Sequence, residues 1–185
     1  MIGALSEKII TGLVSFSLLF FSSYKGNNAS LSTLKVNLAN DKIYLQTKLN
    51  SAFENDFEDF FTSGKNIRIW FKVDIKNKKE TLHIDEFYHE VTYDPLKHIF
   101  EVNLQETEEK KQTDSFRVLK KIISEINYHC QIENLNQYKY LDIEVSCFLK
   151  EIHLQGMEKP IDLMILWKHK KPSVTIRQET SNYGY

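Results

Sequence analysis

Glycine and proline are scarce in this chain, at six and three among 185 residues. That excludes a collagen-like repeat and a Gly/Pro-rich linker architecture. Cysteine is scarcer still, at two, too few for a disulfide-stapled scaffold. No excess of charge of one sign is present either: the formal net charge is −1. No global basic field draws the protein to nucleic acid, and no nucleic-acid partner is expected. No apolar run reaches the ~20 residues that carry a helix across a bilayer. The chain has no G-x-S-x-G elbow, no P-loop and no dinucleotide fingerprint. Neither cysteine lies in a C-x-x-C pair or beside a His with an orienting group. We therefore expect no catalytic residues, no cofactor and no metal, and no enzyme.

What is present begins at the N-terminus. Ile9 to Phe21 is an uncharged run of 13 residues, preceded by Lys8 and followed by "SSYKGNNAS". That is the length of a secretory hydrophobic region. Residues 1–25 are expected to act as a signal peptide or membrane anchor, in contact with the membrane through residues 9–21. A buried core helix is the alternative, but the run is apolar all round and has no polar face. The expected place is the cell envelope, on the periplasmic side, either anchored in the inner membrane or exported.

From residue 31 the pattern has period two. A hydrophobic content of 42% with 12% aromatics can supply a full core. Leu34, Val36 and Leu38, then Ile43, Leu45, Thr47 and Leu49, read as a first hairpin across "AND". Ile67, Ile69, Phe71, Val73 and Ile75 alternate with Asn66, Arg68, Trp70, Lys72 and Asp74. One face is buried and one is wet, as in an antiparallel sheet. "YHEVTYDPLKHIFEVNL" reads as two strands, 81–93 and 97–105, joined at an Asp-Pro turn. Residues 137–154 read as strand, with Leu141, Ile143, Val145, Cys147 and Leu149 on one face, and 161–167 and 173–178 read as two shorter ones. "QETEEKKQTD" reads as a polar loop.

Two stretches change period. Phe53, Phe57, Phe60 and Phe61 follow helical spacing, with a capping box at Ser51 and Glu54 and a stop at Gly64. Phe116, Leu119, Ile123, Ile126 and Cys130 trace an apolar stripe over 115–130. Together these elements predict a mainly β fold: an antiparallel β-sandwich over residues 31–179 with two inserted α-helices, preceded by an N-terminal apolar helix. Residues 180–185 read as a flexible tail. Alternation and helical spacing both send Cys147 and Cys130 to the core, as buried free thiols rather than a bridge.

The candidate surfaces are few. His83 and Asp85 share a strand face about 7 Å apart, near enough for a common metal, but His89 lies ~20 Å along from His83 and cannot join them. A solvated strand face is the simpler reading. "WKHKKPS" concentrates Lys168, Lys170 and Lys171 beside Trp167, either as a charged turn or as a surface for an acidic partner or a headgroup. Trp70, Tyr138 and Tyr140 fall on faces where polar residues dominate, and exposed aromatics of that kind bind partners unless a helix covers them. These seven residues are the candidate partner-binding set.

The stretches "FFTSGKNIRIWFKVDI", "HEVTYDPLKHIFEVNL", "SFRVLKKIISEI" and "YKYLDIEVSCFL" resemble a bacterial exported family, the domain of unknown function 4390, across most of residues 31–155. The resemblance implies an envelope-located, mostly β domain and carries over no site residues. The expected function is a non-enzymatic cell-envelope protein whose β-sandwich acts as a protein-interaction or assembly module for an envelope partner. The alternative is a periplasmic carrier of a small apolar ligand or lipid.

Overall fold

The alternation in the sequence becomes two antiparallel sheets in the computed structural model, which describes residues 26–54, 57–63, 65–78, 80–153 and 160–180. The smaller sheet is built on β3 (Lys42–Asn50). β2 (Lys35–Ala39) leads into it through Asn40, whose φ of 55° is a left-handed value that Asn tolerates. β1 (Ser30–Leu31) continues the line of β2 along one edge of β3, and β8 (Glu125–Gln131) lies along the other. The larger sheet runs in the order β10–β9–β4–β5–β6–β7. Its strands are β4 (Ile67–Asn77), β5 (Glu80–Asp94), β6 (Ile99–Leu104), β7 (Glu109–Thr113), β9 (Tyr140–Leu149) and β10 (Ser173–Glu179). Two α-helices join them: α1 (Phe57–Phe61) and α2 (Phe116–Ser124).

The inner faces of both sheets feed one buried cluster, with Ile43, Leu45 and Leu49 meeting Ile69, Phe71, Val73, Ile143 and Val145. β4 shows why the register holds. Its five predicted apolar residues are all buried, while Arg68, Trp70, Lys72 and Asp74 stay at least partly exposed. A slip by one residue would exchange the two sets. At the Asp-Pro turn the Asp94 carboxylate accepts from the Leu96 and Lys97 amides at 2.9 and 3.1 Å. Those bonds, with the Lys97 side chain, hold its carboxyl below the usual range.

The structure corrects several boundaries. Ser51 does not cap a helix: it follows the last residue of β3 and turns the chain at a φ of 50°. α1 begins at Phe57 and is held by rings, since Phe53 meets Phe57 at 5.3 Å and Phe57 meets Phe60 at 5.7 Å. So short a helix has little stability of its own and depends on such packing. Gly64, the expected stop, lies outside the described residues.

The second helix ends at Ser124 rather than 130. Beyond it Ile126, Tyr128 and Cys130 are buried in alternation, and β3 offers a sheet edge to pair with. Ile126 and Cys130 suited the helical period of Leu119 and Ile123 as well, so only tertiary pairing decides. The polar stretch 105–114 is not a loop throughout: Glu109–Thr113 is the edge strand β7. An exposed edge needs no apolar face, so alternation could not betray it. Leu163–Trp167, expected as strand, is a 3₁₀ helix capped by Asp162, whose side chain accepts from the Met164 amide at 2.8 Å. Thr180, assigned to the tail, is buried, and its amide donates to the Lys139 carbonyl at 3.1 Å.

Among the described residues no helix is long and apolar enough to cross a membrane. The run Ile9–Phe21, the expected N-terminal helix and residues 181–185 lie outside them. At the start of the described chain Gly26 adopts a φ of 58°, and a Cβ there would sit 2.8 Å from the Lys168 side chain. The next residue donates its amide to the Leu166 carbonyl at 2.8 Å, so the fold is tied down from its first described residues.

Cys130 and Cys147 are both buried and both free. Burial pushes the Cys130 thiol up to about 12 and raises Cys147 well above its ordinary value. The thiolate is the reactive form. Iodoacetamide at pH 8 should therefore label neither residue in the native protein and both in denaturant, as read by mass spectrometry. Rapid labelling of either native thiol would contradict the packing. The same shifts have a sign for stability. The native state holds these protons more tightly than the unfolded chain, so their contribution is complete below pH ~9 and is lost as pH rises towards about 12.

Candidate functional site: the outer face of the large sheet

The outer face of the larger sheet carries an aromatic row set by register. Trp70 on β4 stands opposite Tyr88 on β5 and Phe148 on β9. The Trp70 ring lies 5.0 Å from Tyr88, tilted at 56°, and 6.5 Å from Phe148, nearly parallel at 20°. Cross-strand aromatic pairs of this kind stabilise the sheet. All three residues are only partly buried.

Cations sit over each ring. Lys150 Nζ is 3.3 Å from the Trp70 centroid, Arg68 is 4.6 Å from Tyr88 and Lys171 is 4.6 Å from Phe148. Such contacts contribute roughly 0.5–1 kcal/mol each when exposed. Arg68 also donates to Glu90 at 2.5 Å, and that bond raises its already high pKa. Glu86 lies 3.6 Å from Lys150. The face combines π-surface with positively charged donors, so what it can do chemically is bind.

The seven predicted residues part company here. Trp70 and Lys171 meet on this row. Trp167 does not. Its ring is fully buried against Phe53, and its indole N–H donates to the Ala52 carbonyl at 2.9 Å. The 3₁₀ helix turns it inward, so it is a core residue and not a partner contact. Lys168 points elsewhere, donating to Asn28 at 2.7 Å, and Lys170 is exposed beyond the row. Tyr138 is half-buried and packs on the core. Tyr140 shares the outer face, 40% exposed with Lys139 5.1 Å from its ring, but stands about 26 Å from Phe148 along β9. Sequence reasoning missed Tyr88, Phe148, Arg68 and Lys150. Phe148 was within reach, because it follows Ser146 in the outward alternation of β9.

His83 and Asp85 do face the same way. They meet through Tyr128, whose hydroxyl donates to Asp85 at 2.9 Å and lies 2.6 Å from His83 Nε2. Burial, then the Asp85 contact, raises the Tyr128 phenol above its ordinary value. Among the described residues no group of three His, Cys, Asp or Glu is arranged to hold a metal ion.

These features define a class: an antiparallel two-sheet protein with a filled core and an aromatic, cation-covered outer face. Residues 26–153 match a family described as Domain of unknown function (DUF4390), and the chain belongs to that family. No curated protein and no solved structure matches it. The matched span stops short of Trp167 and β10, although both are integral to the fold.

Proposed function

We propose that the protein is a non-enzymatic interaction or assembly module of the cell envelope, tethered or exported by residues 1–25, that binds an acidic partner protein on the outer face of its larger sheet. The observation that carries this reading is the row Phe148–Trp70–Tyr88 with cations over every ring. Aromatics and Arg are the residue types that anchor protein interfaces. Arg68, Lys72, Lys150 and Lys171 outnumber Glu86 and Glu90 here, so an acidic surface is the complement. The apolar run Ile9–Phe21 supports the envelope location. The described clefts are lined by mixed polar and apolar side chains, which favours this reading over a carrier of an apolar ligand.

A photoreactive benzophenone amino acid at position 70 tests the surface in cells. Discrete protein adducts are expected there, and not from position 44, which is 39% exposed on the smaller sheet. Lys150→Glu with Lys171→Glu should cut the adducts at least tenfold without unfolding the domain. Equal adducts from both positions, or adducts indifferent to charge reversal, would remove the outer face from consideration.

A further inference from the structure

We propose that the turn Lys168–Lys171 lies on the bilayer and binds the phosphate groups of anionic phospholipids, an inference that rests on the tethering by residues 1–25 proposed above. The start of the described chain fixes the place. A Cβ on Gly26 would lie 2.8 Å from the Lys168 side chain. The Asn27 amide donates to the Leu166 carbonyl at 2.8 Å, and Lys168 Nζ donates to Asn28 Oδ1 at 2.7 Å. Three successive residues are therefore seated on this turn. Only "SSYK" separates Phe21, the end of the apolar run, from Gly26. The five steps from Phe21 to Gly26 reach at most about 18 Å when fully extended. The headgroup layer takes up roughly 5–8 Å of that on each side of the hydrocarbon. A tether at Phe21 thus holds the turn in the headgroups or just above them.

Charge suits the same occupant. Lys168, His169, Lys170 and Lys171 are all exposed. Asp162 meets His169 Nδ1 at 3.2 Å, and among the described residues no carboxylate pairs with any of the three lysines. The α1 side of this end does not cancel them. Asn27 also donates to the Glu54 carbonyl at 3.1 Å, so Glu54 belongs to the chain start. It shares a cleft with Lys48, Arg117, Lys120 and Lys121. Those four cations more than match Glu54 and the exposed Glu58 and Asp59 of α1. A protein partner would have to be recruited to the turn, whereas a tethered chain keeps the bilayer there permanently. Lysine binds phosphate as a point charge, and each one near an anionic surface favours contact about fivefold.

The contact also orients the domain. Lys171 sits over Phe148, and Phe148 stands opposite Trp70, so the aromatic row lies at the membrane end of the larger sheet. From Trp70, β4 runs to Asn77 at the far turn, about 23 Å away. Lys78 in that turn is exposed and also basic, yet it is held off the bilayer. Position along the strands, and not lysine content alone, decides which end meets lipid.

The test uses the full-length chain in vesicles of phosphatidylcholine and phosphatidylglycerol with a nitroxide quencher on the headgroups. Ser173→Cys or Lys78→Cys carries a fluorophore, since Cys130 and Cys147 are buried. Quenching at 173 should exceed that at 78 roughly fivefold. Phosphatidylcholine alone should cut it at least twofold, and so should Lys168→Gln with Lys170→Glu in the mixed vesicles. Neither of those two lysines covers a ring of the row, and Gln keeps a donor for Asn28. Should the double variant misfold, the lipid comparison reads the same contact with the turn unaltered. Equal quenching at 173 and 78, or quenching at 173 that ignores charge, overturns headgroup binding and leaves the tether standing. Flotation of the unlabelled chain with the vesicles reports the tether itself. A chain that fails to float overturns the tether and this proposal together, while cross-linking at position 70 reports the outer face separately.

Discussion

Trp167→Ala should destabilise the protein by about 3–5 kcal/mol, the range for emptying a large aromatic site in a core. The ring is fully buried and packs edge-on against Phe53 at a centroid distance of 6.4 Å. Phe53 in turn contacts Phe57 and Phe61, so the cavity would open beside the aromatic cluster that holds α1. The indole N–H also satisfies the buried Ala52 carbonyl at 2.9 Å. Trp167→Phe separates the two contributions. It keeps most of the packing, takes one of two donors from that carbonyl, which still accepts from the Asn27 side-chain amide at 3.2 Å, and should cost about 0.5–1.5 kcal/mol. Trp70→Ala is the control. Its partly exposed ring has no cavity to leave, and the loss should stay near 1 kcal/mol. Urea melts read all three. Equal losses for Trp167→Ala and Trp70→Ala would mean that the two tryptophans have been assigned to the wrong sides of the protein.

The pair of tryptophans also shows where the sequence was readable. Trp70 sits in a strand whose alternation is unambiguous, and its outward placement was correct. Trp167 sits in "IDLMILW", where Leu163, Leu166 and Trp167 are buried at i, i+3 and i+4, a helical spacing that a period-two reading of 161–167 passes over. The lysines after it invited a surface reading, although the chain turns there through Lys168 and His169 at φ values of 55° and 56°. Composition reported the neighbourhood and not the direction of the side chain.

Tyr88 was hidden for a different reason. Counted back from the β4–β5 turn, where Asn77 faces Glu80, Trp70 would stand opposite Phe87. A shift in register between Ile75 and Lys76 moves the pairing by one and sets Trp70 against Tyr88. An irregularity of one residue has no signature in a sequence this polar at the turn, yet it decides which aromatics share the outer face. α2 and β8 show the converse. Ile126 and Cys130, four residues apart, satisfied two periods at once, and pairing with β3 chose between them.

The family match raises a related point about the domain's extent. It covers residues 26–153, but β10 pairs with β9 along seven positions from Ser173 to Glu179. Removing β10 would bare the β9 edge, whose neighbour it completes, and removing Leu163–Trp167 would empty part of the core. The folded unit therefore includes residues 160–180, whatever the matched span.

His89→Leu carries the second large expected effect, about 3–5 kcal/mol, the range for removing one partner of a buried, hydrogen-bonded His–carboxyl pair. His89 lies on the inner face of β5 between Phe87 and Val91, where alternation leaves no room for a solvated side chain. Its Nδ1 must carry a proton, because the Ile123 carbonyl 3.0 Å away can only accept. Nε2 meets Glu106 at 2.9 Å, and the two side chains are 0% and 1% exposed. Removing the imidazole leaves a carboxyl buried without its counterpart. Removing the carboxyl is less severe, since an imidazole can remain neutral, so Glu106→Leu should cost less than His89→Leu. Replacing both should recover a large part of the loss, as apolar substitution of a whole buried pair often does. A double-mutant cycle by urea denaturation measures the coupling. Additive losses, or a His89→Leu cost below about 1 kcal/mol, would show that the pair is solvated in solution.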